Sequence, residues 1–248
     1  MKRYFSILLL FGMIWMSGCA QKSEPTLAAG DAANQPPVEE KKPVENTPTP
    51  KASTSDPFDS SDDWLAANTI TTQALAGAAK TVVEVKDGTL NFDIPDKETY
   101  IYTFYKKIQK SDVSIEVAFD STGLTNNGIA LVCRAAEDYS TWYEARVSSS
   151  GMYYIYKYDA ALKDLGQNRY VKIIAGTTPK NTILPTKPNS VKFTCKGDQL
   201  ILEINGGKFV TTQQNVDLTG DGLVGIGSMA YDQTPVRIKY DDFKISKP

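Results

Sequence analysis

The chain has 248 residues, of which 41% are hydrophobic, so it can bury one large core and carry further segments outside it. The formal net charge is −2 and the 27 lysines and arginines are scattered, so the sequence lacks the concentrated basic surface that nucleic acid requires. It contains no histidine, which excludes Ser-His-Asp, Cys-His and histidine-metal chemistry and leaves carboxylates, lysine, tyrosine or a bound cation for any catalysis.

Residues 1–18 have the composition of a secretory signal peptide, in which Lys2 and Arg3 precede an apolar run too short to span a bilayer well. The run ends at Ser17-Gly18-Cys19, which is similar to the lipobox of bacterial lipoproteins, although Met16 stands where leucine is usual. The resemblance implies that Cys19 is acylated and that the mature chain is extracytoplasmic, anchored at the cell surface or outer membrane. The alternative is an ordinary signal peptide that is cleaved elsewhere.

Residues 19–57 form a segment of different composition. Between Ala20 and Pro57, seven prolines are interleaved with Ala, Thr, Ser, Glu and Lys, and no aromatic residue occurs. Such a segment buries too little apolar surface to offset the entropy lost on ordering. The sequence therefore predicts a disordered tether that leads to one folded domain over residues 58–248.

Short alternating segments, bounded by Gly, Asn, Asp, Ser or Pro, fill the predicted domain. TVVEV and TLNFDI flank Asp87-Gly88, which favours a tight hairpin because these residues accept positive φ. The same pattern continues in YIYTFY, DVSIEVAFD, GIALVCRA, TWYEARVS, MYYIYKY, RYVKIIAG, SVKFTC, QLILEING, KFVTT, LVGIGSMAY and VRIKYDDFKI. Apart from a helical turn within residues 64–80, the pattern predicts an all-β sandwich or barrel.

Two cysteines remain beside Cys19. Cys133 and Cys195 are in phase with the apolar positions of their predicted strands. In an oxidising compartment such a pair is expected to form a disulfide bond, and the alternative is two buried free thiols.

The order of several segments is similar to that of a known superfamily. These segments are DPFDSSDDW, VKDGTLNF, GIALVCRAAEDYSTWYEARVSSSGMYYIYKY, NSVKFTCKGDQLILEINGGKFV, GLVGIGSMAY and IKYDDFKIS. Together they resemble bacterial domains of the concanavalin A-like lectin/glucanase superfamily, in particular its laminin-G-like and 3-keto-disaccharide-hydrolase-like branches. The resemblance covers residues 58–248. It implies a two-sheet antiparallel jelly roll whose first and last strands pair, whose concave sheet often presents a ligand face, and whose relatives mostly handle glycans.

Alternation assigns faces to two neighbouring predicted strands. In TWYEARV the apolar set Tyr143, Ala145 and Val147 predicts that the intervening residues face the other way, and in MYYIYKY the core set is Tyr153 and Ile155. Flat aromatic rings can stack on sugar faces, and Arg or Glu can bond to hydroxyls. The predicted carbohydrate-binding residues are Arg134, Trp142, Glu144, Arg146, Tyr154 and Tyr156. The alternative is that these aromatic residues only stabilise the sheet or pack beneath a loop.

Paired carboxylates of the glucanase type are not apparent in the sequence. Superfamily glucanases carry roughly Glu-x-Asp-x-Glu on one strand, whereas the nearest segment here places Glu116, Ala118 and Asp120 on one face. No catalytic residue is predicted, and the resemblance to the hydrolase-like branch leaves another glycoside-cleaving activity open.

The segment DLTGDG is similar to the start of a calcium loop. Asp217, Thr219 and Asp221 have ligand spacing, but the twelfth position is Ser228, so a complete EF-hand loop is not formed. We expect a turn between strands and no cofactor, with structural calcium at Asp217 and Asp221 as the alternative.

These observations predict a membrane-anchored lipoprotein whose jelly-roll domain binds extracellular oligo- or polysaccharide noncovalently. Two alternatives remain open, a glycoside-cleaving hydrolase and a module that docks another envelope protein. A mainly apolar exposed patch would favour docking over an aromatic-lined polar groove.

Overall fold

The computed structural model describes most of the predicted domain and little of the chain before it. The described residues are 53–56, 58–64, 80–123, 127–184, 187–212, 217–218 and 220–248. The predicted signal peptide, Cys19, most of the predicted tether and the segment 65–79, where a helical turn was expected, lie outside them. Within the described ranges, no helix has the length and apolar character needed to cross a bilayer.

The described residues fold into fourteen antiparallel strands in two sheets, which confirms the predicted all-β jelly roll. The strands are β1 Ser53–Asp56, β2 Val82–Lys86, β3 Thr89–Ile94, β4 Thr99–Gln109, β5 Val113–Gly123, β6 Asn127–Ala135, β7 Thr141–Ser148, β8 Met152–Asp159, β9 Tyr170–Thr177, β10 Asn189–Lys196, β11 Gln199–Ile204, β12 Gly207–Thr212, β13 Leu223–Ala230 and β14 Val236–Ser246. Two 3-10 turns, Ser61–Asp63 and Ala160–Lys163, accompany them.

The two sheets have unlike strand orders. The eight-stranded sheet runs β12-β11-β10-β5-β14-β3-β2, with β1 also paired to β14, and the six-stranded sheet runs β4-β13-β6-β7-β8-β9. The β2–β3 hairpin turns at Asp87 and Gly88 as predicted, with φ of 52° and 72°. The first and last strands pair, as the resemblance implied.

Strand β1 corrects the predicted start of the domain. The composition of the sequence places Ser53–Asp56 in the tether, but in the structure this segment pairs with β14, from Ser53 opposite Ser246 to Asp56 opposite Phe243. The buried carboxylate of Asp56 also accepts hydrogen bonds from the Phe58 backbone N–H, at 2.8 Å, and from the Trp64 indole, at 3.0 Å. The polar sequence STSD has no apolar alternation that would predict a strand. Backbone pairing with β14 and the hydrogen bonds of Asp56 hold this short strand in place.

The main core lies between the two sheets, and one covalent bond crosses it. Inward-facing residues of β5 and β10 pack against those of β6 and β7, as their alternation predicts. Cys133 on β6 is bonded to Cys195 on β10, with Cα atoms 6.7 Å apart. The predicted disulfide is therefore confirmed, and it joins the six-stranded sheet to the eight-stranded sheet.

Candidate functional site

The outer face of the six-stranded sheet carries a second cluster of buried side chains. It is separate from the core between the sheets and is formed by Tyr102, Phe104, Ala130, Val132, Ala135, Trp142, Tyr158, Leu223 and Met229. Outer faces of antiparallel sheets are commonly solvated and polar. An aromatic-rich layer there distinguishes this face from an ordinary solvated sheet surface.

Strand β7 sends its alternate residues to this outer face. Tyr143, Ala145 and Val147 pack in the main core, and Trp142, Glu144 and Arg146 point the other way, as the alternation predicted. The Trp142 ring is 0% exposed and stacks on Tyr158, with centroids 3.7 Å apart and an interplanar angle of 13°. The structure therefore buries the Trp142 ring beneath its own neighbours, whereas the sequence predicts a ring displayed to a ligand.

Glu144 is buried under this outer face, and both oxygens of its carboxylate accept hydrogen bonds. Its Oε2 accepts hydrogen bonds from the Tyr102 hydroxyl at 2.7 Å and the Trp142 indole at 2.9 Å, and its Oε1 accepts from Arg146 Nε at 3.0 Å and from Nη2. A carboxylate offers about four lone-pair sites, and all have donors here. Glu144 is 0% exposed, so it positions Arg146. The sequence predicts that Glu144 binds carbohydrate, but the structure leaves none of its surface open to a ligand.

Arg146 is held in an aromatic cage. Its guanidinium carbon lies 4.9, 4.9 and 4.7 Å from the ring centroids of Tyr100, Tyr156 and Tyr170. Burial alone would lower the pKa of Arg146, but Glu144 and the surrounding tyrosine oxygens raise it well above its ordinary value. The side chain is 7% exposed, and within the described ranges its Nη1 group has no hydrogen-bond acceptor. A fixed cation with two spare N–H donors therefore lies at the centre of this face.

Two depressions meet at Arg146 and together form what we call the groove. Both are lined by Tyr100, Arg146 and Tyr156. The basic end, of about 540 Å³, adds Lys163, Gly166, Gln167, Asn168, Arg169 and Tyr170. The acidic end, of about 520 Å³, adds Glu98, Ser148, Ser150, Met152, Tyr154, Tyr231 and Asp232.

Tyr154 and Tyr156 both line the groove, as their alternation predicted. Their rings stack at 5.4 Å with an interplanar angle of 22°, and each residue is half-buried. Burial raises the pKa of Tyr156, and burial also raises the pKa of Tyr100 despite the opposing effect of Arg146. These hydroxyls are therefore protonated at neutral pH and can both donate and accept hydrogen bonds.

Arg134 does not share the groove, which corrects its predicted placement. It lies at a register shift between β6 and β13 and has a φ of 53°, so the alternation is interrupted there. Its guanidinium donates to the backbone carbonyls of Ser111 and Leu218, each at 2.7 Å, and of Gly197 at 2.8 Å. Arg134 thus joins three loops at one end of the sandwich.

The acids singled out in the sequence also lie elsewhere. Glu116 and Asp120 are on β5 of the eight-stranded sheet, half-buried on its outer side, and therefore far from the groove in the topology. Asp217 pairs with Lys157 at 2.5 Å and accepts from the Tyr143 hydroxyl at 2.7 Å, while Asp221 accepts from the Ser111 backbone N–H at 2.8 Å. In the part of the chain that the structure describes, no group of three or more His, Cys, Asp or Glu is placed so that it could hold a metal ion, and structural calcium at Asp217 and Asp221 stays an alternative.

Sequence reasoning missed four tyrosines of this face: Tyr100 and Tyr102 on β4, Tyr170 on β9 and Tyr231 after β13. The alternation of YIYTFY places Tyr100 and Tyr102 on one face of β4, which is a sequence signal for both residues. Gly227 is a second signal, because a Cβ there would lie 2.5 Å from the Tyr102 ring. The glycine allows Tyr102 to lie flat on β13 and reach Glu144.

Comparison with known proteins identifies a family. A family model described as a 3-keto-alpha-glucoside-1,2-lyase-like domain matches residues 55–244. The matched residues include the groove and begin inside β1, in agreement with the corrected domain start. No curated protein matches the chain.

Solved structures share the fold at low sequence identity. A beta-1,3-1,4-glucanase (lichenase) derived from a mouse hindgut metagenome superposes with a TM-score of 0.58 at 13% identity, over 79% of this chain and 99% of that chain. A protein with a galectin-like fold from Bacillus subtilis gives 0.57 at 12%, over 78% and 94%. The carbohydrate binding module CBM66 from Bacillus subtilis gives 0.51 at 13%, over 75% and 96%. At these identities the likeness establishes the jelly-roll fold.

Proposed function

This chain belongs to the 3-keto-alpha-glucoside-1,2-lyase-like domain family, and we propose that its β-sandwich binds extracellular carbohydrate noncovalently in the groove around Arg146. The proposal includes the membrane anchor predicted at Cys19, which lies outside the described residues. Proteins of the same fold include one named as a carbohydrate binding module and one named as a glucanase. These names support a sugar ligand.

The observation that carries the proposal is the geometry of Arg146. Glu144 fixes the guanidinium, and three tyrosine rings surround it, while Nη1 keeps two N–H donors for a ligand. Sugars present hydroxyl oxygens that accept such donors and C–H faces that pack on aromatic rings. A polar groove lined by tyrosine fits this ligand better than it fits an apolar protein surface, which supports binding of carbohydrate over docking of a protein.

The arrangement supports binding more than cleavage. A general base must have a free lone pair within hydrogen-bond reach of the proton that it removes. Glu144 has none left, and burial raises the pKa of Tyr100 and Tyr156, which keeps both hydroxyls protonated at neutral pH. The enzymatic alternative, which the family description favours, would rest on Glu98 and Asp232 at the acidic end.

A binding screen of the purified chain against oligo- and polysaccharides tests the proposal, with Tyr156→Ala as the test variant. Tyr156 lines both halves of the groove, so its removal is expected to weaken binding by about tenfold or more. Tyr153→Ala is the matched control, because Tyr153 is on the same strand but packs against the core between the sheets. Its folded fraction should bind as the parent chain does.

Three results would count against the proposal. A folded chain that binds no glycan would exclude it, and equal losses in Tyr156→Ala and Tyr153→Ala would place any binding elsewhere. Release of shortened sugars during the incubation, abolished by Glu98→Gln or Asp232→Asn, would establish the enzymatic alternative instead.

A further inference from the structure

The two ends of the groove carry opposite charge, and we infer that its ligand is a glycan in which an anionic sugar residue occupies the basic end and a neutral residue occupies the acidic end. The anionic group is a carboxylate or a sulfate ester. This inference rests on the proposed function, because it specifies the ligand class of the same groove.

The charged residues that line the basic end are all cations. They are Arg146, Lys163 and Arg169. The charge of Arg146 is already balanced by the buried carboxylate of Glu144, and Lys163 and Arg169 are the further cations that line this end. Two acids of the same segment, Asp159 and Asp164, do not line this depression, and the Asp159 carboxylate accepts from the Ala161 backbone N–H at 3.1 Å.

The acidic end has the opposite balance. Beyond Arg146, its charged lining residues are Glu98 and Asp232, both exposed. Their oxygens can accept hydrogen bonds from neutral sugar hydroxyls, whereas a second anionic sugar there would meet like charge. The groove therefore suits a chain in which charged and neutral residues alternate and disfavours one with a charge on every residue.

The side chains of the basic end have the chemistry to hold a carboxylate or a sulfate. Arginine offers a planar fork of donors and lysine a compact ammonium, and both make charge-assisted hydrogen bonds to such oxygens. Lys163 is solvent-exposed and Arg169 is half-buried. An ion pair between either side chain and the anionic group of the ligand is therefore screened by water and contributes modestly to the affinity. Together the two cations are expected to strengthen binding of an anionic ligand by about tenfold over its neutral counterpart.

Two matched ligand pairs test the inference with the purified full chain by isothermal titration calorimetry. Hyaluronan oligosaccharides and their methyl esters differ at the carboxylate, whose charge the ester removes by adding a methyl group. Oligosaccharides of κ-carrageenan and their desulfated forms differ only in the sulfate. Both series alternate charged and neutral residues, and whichever pair shows the preference identifies the anionic group.

The test variant is Lys163→Gln/Arg169→Gln, and the control is Lys86→Gln/Lys239→Gln. The control makes the same change in net charge at exposed positions of the eight-stranded sheet. The parent chain should prefer one anionic ligand by about tenfold, the test variant should reduce that ratio to nearly one, and the control should preserve it. Circular dichroism checks that all variants are folded.

Equal affinities for charged and neutral members in the parent chain, with binding still lost in Tyr156→Ala, would overturn the inference and leave the proposed function in place. Equal losses of the preference in both double variants would also overturn it, since they would show long-range attraction and no local site. If no carbohydrate of any charge binds, the proposed function fails and the inference fails with it.

Discussion

Glu144 and Arg146, two positions apart on β7, form a buried ion pair in which Arg146 Nε lies 3.0 Å from a carboxylate oxygen of Glu144. The Glu144 side chain is entirely covered, whereas Arg146 is 7% exposed and lines both ends of the groove. Burying two charges is favourable only when hydrogen bonds satisfy both, and here Tyr102 and Trp142 complete the carboxylate. The pair therefore gives the groove a fixed donor that does not depend on a flexible surface side chain.

Glu144→Gln should destabilise the fold strongly. It leaves the Arg146 charge buried without its counter-ion, which costs about 3–5 kcal/mol of unfolding free energy. Urea denaturation followed by tryptophan fluorescence measures the change. Glu203→Gln is the control, because Glu203 pairs with Lys192 at 3.5 Å near the surface and should cost less than about 1 kcal/mol. Similar costs for the two variants would show that the buried pair is not a major source of stability.

Trp142→Phe should lower stability without changing the affinity of the folded protein. The ring is buried under Tyr158, and its indole N–H donates to Glu144, so its replacement leaves a void and one lone pair unfilled. We expect a cost of about 2–4 kcal/mol. Thermal unfolding and glycan titration, measured on the same sample below the transition, separate the two effects. Loss of binding at unchanged stability would instead place Trp142 in contact with the ligand.

The comparison of Trp142 with Tyr156 shows what alternation in the sequence can predict. The alternation assigns both residues to the correct face of the sheet, because a period of two follows directly from strand geometry. Their depth was not predictable from β7 and β8, since Trp142 is covered by rings that include Tyr102 from β4. Whether a residue is displayed depends on partners that are distant in sequence.

Arg134 illustrates a different limit of sequence reasoning. The bulge that redirects it is a local interruption of pairing between β6 and β13. Nothing in GIALVCRA marks the position, because arginine is not a residue typical of positive φ. By contrast, Asp87-Gly88 identified its turn correctly, since both residue types favour that conformation.

Asp56→Ala tests whether β1 belongs to the folded domain. The change removes the acceptor of the Phe58 and Trp64 N–H groups and should cost about 1–3 kcal/mol for each buried donor left unsatisfied. Asp59→Ala is the neighbouring control, because Asp59 is exposed and its loss should change stability by less than about 0.5 kcal/mol. Chemical denaturation of the two variants provides the comparison. Equal stabilities would indicate that residues before 58 contribute little.

The disulfide bond between Cys133 and Cys195 should contribute measurably to stability. It closes a loop over a sequence separation of 62 residues and connects the two sheets. Its reduction is expected to cost about 2–5 kcal/mol. Guanidinium denaturation with and without reductant measures this cost, and the double variant Cys133→Ala/Cys195→Ala serves as the control, because reductant should not affect it. A parent chain equally stable in both conditions would contradict the expectation.

Stability should fall steeply in alkali. Burial raises the pKa of several tyrosines, among them Tyr102 and Tyr240, and it raises the pKa of Tyr143 to about 12 from an ordinary value of 10.0. A raised folded-state pKa adds stability that is fully present below the unfolded pKa and is lost as the pH rises through the folded pKa.

The loss should therefore begin near pH 10 and continue through about pH 12, where Tyr143 ionises in the folded chain. These tyrosines stay protonated between about pH 6 and 9, and the chain has no histidine, so glycan affinity should be nearly constant there. Melting temperatures measured from about pH 6 to about pH 12, together with the tyrosinate absorbance, test the predicted loss of stability. Tyr143→Phe should make the alkaline decline less steep, and a melting temperature that stays constant to pH 12 would show that these hydroxyls ionise without opposing the fold.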